Sequence, residues 1–113
     1  MADIPEKMTA IAITEPGSPL VLKPERRDVP RPGEGEILIR VRAAGVNRPD
    51  VLQRKGAYPP PQGATDLPGL EAAGEVAALG DGVKRWRVGD AVTALTPGGG
   101  YAEFVADHET NAL

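Results

Sequence analysis

The 113-residue sequence contains no cysteine. That absence excludes disulfides, thiolate metal sites and a catalytic thiol. Histidine is nearly absent too. His108, in ADHETN, is the sole one, whereas a zinc site wants three or four His, Cys or carboxylate ligands. It reads as a surface histidine. Ser18 is the sole serine and lies in a Pro-Gly turn without the G-x-S-x-G of a nucleophile elbow, so no Ser/His/Asp triad is expected. Basic charge is not in excess: the net charge is −3, and a nucleic-acid surface needs a strongly basic face. The one basic cluster, Lys84-Arg85-Trp86-Arg87, reads as a solvated turn. No apolar run approaches the roughly 20 residues that span a bilayer. The opening MADIPEKMTAIAITEPG carries Asp3, Pro5, Glu6 and Glu15 and lacks the basic and apolar regions of a secretory leader. The expectation is a cytoplasmic protein with neither nucleic acid nor membrane as partner.

What is present points to a β fold. Hydrophobic residues at 41% and charged residues at 26% suit a globular chain, and the length suits one domain. Gly (14) and Pro (12) are spread throughout, as many short strands with tight turns require. Strands are predicted at Met8–Thr14 and Leu20–Lys23, flanking the turn at Glu15 to Ser18. Further strands are predicted at Glu36–Ala44, Glu71–Leu79, Ala91–Leu95 and Tyr101–Ala106. In the first of these, Ile37, Ile39 and Val41 alternate with Arg40 and Arg42, the period of two of a half-buried strand. Gly33-Glu34-Gly35 and Gly80-Asp81-Gly82 start like a dinucleotide fingerprint but miss its last glycine. Gly98-Gly99-Gly100 leads into Tyr101 and is no P-loop. All three read as turns.

One segment looks helical, in GVNRPDVLQRKGAYPPP. Asn47 is a good N-cap, Pro49 suits the first turn and Gly56 suits the end. With no strand–helix alternation, the prediction is a mainly β, partly open barrel with one short helix in a crossover. Asn47, Asp50 and Arg54 share one helix face. That stripe either lines a cleft or meets water, and the residues alone leave both open. Tyr58 follows in a Gly- and Pro-braced loop, where it either packs or faces a ligand.

Four motifs occur in one order: PGEGEILIRVRAAGVN, PDVLQRKGAYPPP, LPGLEAAGEVAALGDGVKRWRVGDAV and PGGGYAEFV. In that order they resemble the N-terminal GroES-like domain of the medium-chain dehydrogenase/reductase superfamily, from about Met8 to Leu113. Zinc members carry Cys where this chain has Asn47, and His-Glu where it has Leu70-Glu71. Asn47 with Asp50, and Gly56-Ala57-Tyr58, resemble the zinc-free, zeta-crystallin-like NADPH:quinone oxidoreductases, and most of all their stress-inducible subgroup.

The resemblance implies hydride transfer from NADPH to a quinone or a related electrophilic carbonyl, without metal. It implies catalytic roles for Tyr58 and Asn47. Asn47 would also touch the cofactor, with Asp50 and Arg54 grouped with it in cofactor binding and holding the helix and loop. Glu71 matches the Glu of the zinc motif and is expected to be structural, and Tyr101 to help wall the cleft. In such enzymes a Rossmann domain holds NADP. No such fingerprint occurs here, so residues 1–113 are expected to be the catalytic domain of a longer, homodimeric enzyme, inactive alone. Two alternatives are a zinc-free enoyl reductase or alcohol dehydrogenase-like enzyme, and a stand-alone GroES-like binding module.

Overall fold

The computed structural model describes residues 4–113; Asp3, in the opening segment discussed above, lies outside them. The elements in chain order are β1 (Lys7–Ile13), β2 (Leu22–Asp28), β3 (Glu36–Ala44), α1 (Arg48–Lys55), β4 (Glu71–Leu79), β5 (Ala91–Leu95) and β6 (Phe104–His108). Single 3₁₀ turns occupy Pro19–Val21 and Glu109–Asn111. All strand pairs are antiparallel. One sheet is the β1–β2 hairpin, and the other runs β5-β4-β3-β6. An Ala10–Ala102 bridge and the Ile11 N–H donating to the Tyr101 carbonyl (2.8 Å) stitch β1 to the segment before β6. The result is the partly open barrel with one helix that the sequence predicts. Among the described residues no helix is long and apolar enough to cross a membrane.

Strand β3 is the spine, paired on both sides. Ile37, Leu38 and Ile39 are all fully buried. Ile37 and Ile39 pack with Val76, Val92, Ala94 and Val105, while Leu38 packs on the other side with Met8, Ala10, Leu67 and Phe104. This differs from the half-buried alternation expected from Ile37, Ile39 and Val41. The reason is that the β1–β2 hairpin covers the second face, so Leu38 is as dry as its neighbours.

The expected strand at Leu20–Lys23 also shifts. Ser18 Oγ accepts the Leu20 N–H at 3.4 Å and starts a 3₁₀ turn, so β2 begins at Leu22 and extends to Asp28. It tolerates Pro24 because it is an edge strand, where a missing N–H breaks no ladder. The last strand starts at Phe104, leaving Tyr101 in the loop before it.

The basic cluster is a turn, and a braced one. Glu109 Oε1 accepts the backbone N–H groups of Lys84 (3.2 Å) and Arg85 (3.1 Å), and Trp86 Nε1 donates to the Glu109 carbonyl at 3.0 Å. His108 is exposed, as expected, and its Nδ1 lies 2.7 Å from Thr110 Oγ1.

Two outcomes follow from this packing. A Cβ on Gly74 would lie 1.9 Å from the Arg40 carbonyl oxygen, which is backbone and cannot move aside. Gly74→Ala should cost about 3 kcal/mol. Gly63→Ala should cost about 1 kcal/mol, because it meets nothing within 4 Å and strains only a left-handed backbone (φ +84°). Urea unfolding measures the difference. The Arg85 and Lys84 amides hold the Glu109 carboxyl below its ordinary value. A depressed folded value means the brace's contribution is fully present above the unfolded value of about 4.3 and is lost as pH falls through the lower folded value. Trp86 fluorescence should report that loss, and Glu109→Ala should remove this pH dependence.

Candidate active site

Helix α1 starts where the sequence places it. Asn47 is extended (φ −127°, ψ 159°), and Gly56 ends the helix in the left-handed region (φ +87°), donating its N–H to the Gln53 carbonyl at 3.0 Å. Asn47 is the N-cap, as expected. Asn47 and Asp50 face each other as a capping box, with the Asn47 side chain toward the Asp50 N–H and Asp50 Oδ2 accepting the Asn47 N–H at 2.9 Å; the second contact is the closed hydrogen bond. The Asn47 side chain makes no capping hydrogen bond. The reason is local. The Asp50 N–H, which that side chain would have taken, already donates to the Asn47 backbone carbonyl at 3.0 Å. The Asn47 side-chain oxygen is turned toward the Asp50 N–H without closing a full hydrogen bond, and the half-buried amide keeps its N–H donors without a hydrogen-bond partner among the described residues.

Asp50 is only 5% exposed. A buried carboxylate is costly unless hydrogen-bonded. Its second partner is distant in sequence: the Tyr101 hydroxyl donates to the same Oδ2 at 2.8 Å. Burial, then the hydrogen bond to Asp50 and its charge, push the Tyr101 hydroxyl far above the ordinary tyrosine value, so it remains a proton donor at neutral pH. Asp50 Oδ1 and Arg54 Nη1 are buried without a protein partner among the described residues.

The remaining attachments of α1 hold it along its length. Gln53 Nε2 donates to the Asp66 carbonyl at 3.1 Å, and the Arg54 carbonyl accepts the Gly17 N–H at 2.9 Å. Asp66 is itself gripped by Arg27 through two parallel bonds of 2.9 Å. The structure thus brings Asn47, Asp50 and Tyr101 together. It joins neither Tyr58 nor the Arg54 side chain to them by a hydrogen bond among the described residues. Tyr58 stands half-buried past the C-terminal end of the helix.

Glu71 opens β4 on the other side of the β3–α1 junction. Its carboxylate covers Gly45, where a Cβ would come within 2.3 Å of Oε2. It lines a concavity of about 700 Å³ together with Ala43, Ala44, Ala72, Ala73 and Ala94. The N-x-x-D spacing signals the capping box, but nothing in the sequence links Asp50 to a tyrosine 51 residues on.

The family profile of the alcohol dehydrogenase GroES-like domain matches residues 33–113. The chain belongs to that family. Its relatives fit the zeta-crystallin-like branch of the medium-chain dehydrogenase/reductases. The GroES-like domain is 42% identical to a quinone oxidoreductase of Lama guanicoe over 110 residues, covering 94% of this chain and 33% of that protein. Against the quinone oxidoreductase of Homo sapiens it is 40% identical over 118 residues, covering all of this chain and 36% of that one. It superposes on the human synaptic vesicle membrane protein VAT-1 homolog-like protein with a TM-score of 0.87 at 34% identity, covering 95% of this chain and 35% of that one. A cobalt- and zinc-bound alcohol dehydrogenase from Pyrobaculum aerophilum gives a TM-score of 0.83 at 31% identity, covering 95% and 40%. The chain therefore spans about a third of the length of the curated relatives it matches.

Truncating the shared carboxylate tests this arrangement. Asp50→Ala strands both the Asn47 N–H and the Tyr101 hydroxyl, and should cost about 2 kcal/mol. Arg48→Ala, on the exposed side of the same turn, should stay within about 0.5 kcal/mol. Thermal unfolding of the two variants decides.

Proposed function

We propose that this domain is the substrate-side part of an NADPH-dependent oxidoreductase that reduces quinones or related electrophilic carbonyls without zinc. The observation that carries this reading is the Asn47 side-chain N–H group, unpartnered among the described residues while Asp50 holds the Asn47 backbone at the helix start. Relatives named quinone oxidoreductases support the substrate class. The absence of cysteine, with Asn47 and Leu70 standing at the family's metal-ligand positions, supports a site without zinc.

The residues present suit the nicotinamide end of a cofactor and not its phosphates. The Asn47 amide can both donate to and accept from a carboxamide. The start of α1 cannot take a pyrophosphate, because the Asp50 carboxylate already lies there and would repel it. The phosphates would be held by a Rossmann domain outside this chain, so the domain alone would not turn over. NADPH, when bound, supplies the hydride. Asn47 orients the nicotinamide and the acceptor, Tyr58 donates a hydrogen bond to the acceptor oxygen, and Asp50 and Arg54 hold the helix behind them. A quinone is already electrophilic, so positioning and one or two donors suffice. The full-length enzyme is proposed to be a cytoplasmic homodimer.

Steady-state kinetics of the full-length protein test the reading. NADPH oxidation should be supported by quinones, and not by 2-enoyl thioesters or simple alcohols, and a chelator should leave it unchanged. Asn47→Ala should lower kcat about 10²-fold and Tyr58→Phe about 10-fold. Turnover of alcohols alone, abolished by chelation, would refute the proposal.

A further inference from the structure

Tyr101 is fixed from the barrel side before it reaches α1. Its N–H donates to the Pro68 carbonyl at 3.1 Å, its carbonyl accepts the Ile11 N–H at 2.8 Å, and Gly100 N–H donates to the Gly69 carbonyl at 3.0 Å. The ring lies close against Gly69. A Cβ on Gly69, whose φ is +107°, would lie 2.8 Å from Tyr101 Cδ1 and 2.6 Å from its backbone nitrogen. Tyr101 is thus anchored to one strand, β1, and to the loop before β4. At the tip of its phenol is one oxygen of Asp50, which also holds the Asn47 N–H.

The consequence concerns Asn47. Its backbone is pinned by the carboxylate, and the carboxylate is pinned by the Tyr101 hydroxyl. Without the Tyr101 hydroxyl, Asp50 keeps only its contact within the same helix turn and no longer ties that turn to the barrel. Gln53 and the Arg54 carbonyl would still hold the middle and the C-terminal end of α1. The loss would therefore be local to the first turn, where Asn47 begins.

We propose that Tyr101 is a positioning residue: acting through Asp50, it sets the Asn47 side chain for the reaction and touches neither substrate nor cofactor. This rests on the reading of Asn47 under the proposed function, and goes beyond it by assigning a residue outside the helix to the same task.

A double-mutant cycle in the full-length enzyme tests it. Tyr101→Phe should lower kcat for quinone reduction about 10-fold, leave KM within about twofold, and speed hydrogen exchange in the peptide spanning residues 47–51. In an Asn47→Ala background the same change should lower kcat less than twofold, while shifting the unfolding midpoint as much as it does alone. Equal tenfold losses in both backgrounds would overturn the proposal, as would unchanged kcat in Tyr101→Phe. If Asn47→Ala itself leaves quinone reduction intact, the reading of Asn47 fails, and exchange at 47–51 then judges the Tyr101 contact by itself: no acceleration in Tyr101→Phe overturns it. Should Tyr101→Phe fail to fold, hydrogen exchange of the unaltered enzyme decides: amides at 47–51 no better protected than those of an open loop would overturn the proposal.

Discussion

One carboxylate oxygen decides the architecture around the helix. Asp50 Oδ2 takes a hydrogen bond from its own helix start and another from a tyrosine in the last third of the chain. Buried as it is, the group needs both partners, since an unsatisfied carboxylate in a dry setting is among the costlier features a fold can carry. The surroundings follow from that need. Gly69 must lack a Cβ so that the Tyr101 backbone and ring can pass, and the loop from Gly98 to Tyr101 must return along β1 so that the hydroxyl points at the helix.

The sheet beneath makes such precision available. Strand β3 is dry on both faces along Ile37 to Ile39, each such side chain contributing about 2 kcal/mol of burial. It leads, through Ala44 and Gly45, directly into Asn47. The site therefore sits at the end of the most constrained strand in the domain, which limits how far the helix start can wander. Glu71 meets the same junction from β4, folded over Gly45 and lining the concavity. Relatives that bind metal and relatives named quinone oxidoreductases share this frame. The chemistry must then come from the side chains at the junction, not from the frame.

Much of this was readable in the residues. Strands β3, β4 and β5 begin and end where alternation and the Gly- and Pro-rich turns put them, because short-range patterning fixes them. The helix was readable from Asn47, Pro49 and Gly56. The burial of Leu38 is not legible within β3, because it depends on a hairpin packing from elsewhere in the chain. The 3₁₀ turn at Pro19–Val21 was missed because a single serine hydroxyl bond sets it. The site was half readable. The N-x-x-D spacing announces a capping box, but which half bonds depends on where the Asp50 amide points. The Tyr101 partnership is a tertiary contact that no local pattern encodes.

The proposal turns on Asp50 fixing the Asn47 backbone while the Asn47 side-chain N–H group has no partner among the described residues. The most direct test is ¹⁵N-resolved NMR of the full-length protein, following the Asn47 side-chain amide and its backbone N–H as oxidised cofactor and then a quinone are added. The expected result is a shifted side-chain amide with a backbone N–H that stays protected and unmoved. A side-chain amide that ignores both ligands, or a backbone N–H that loses protection as they bind, would contradict the account.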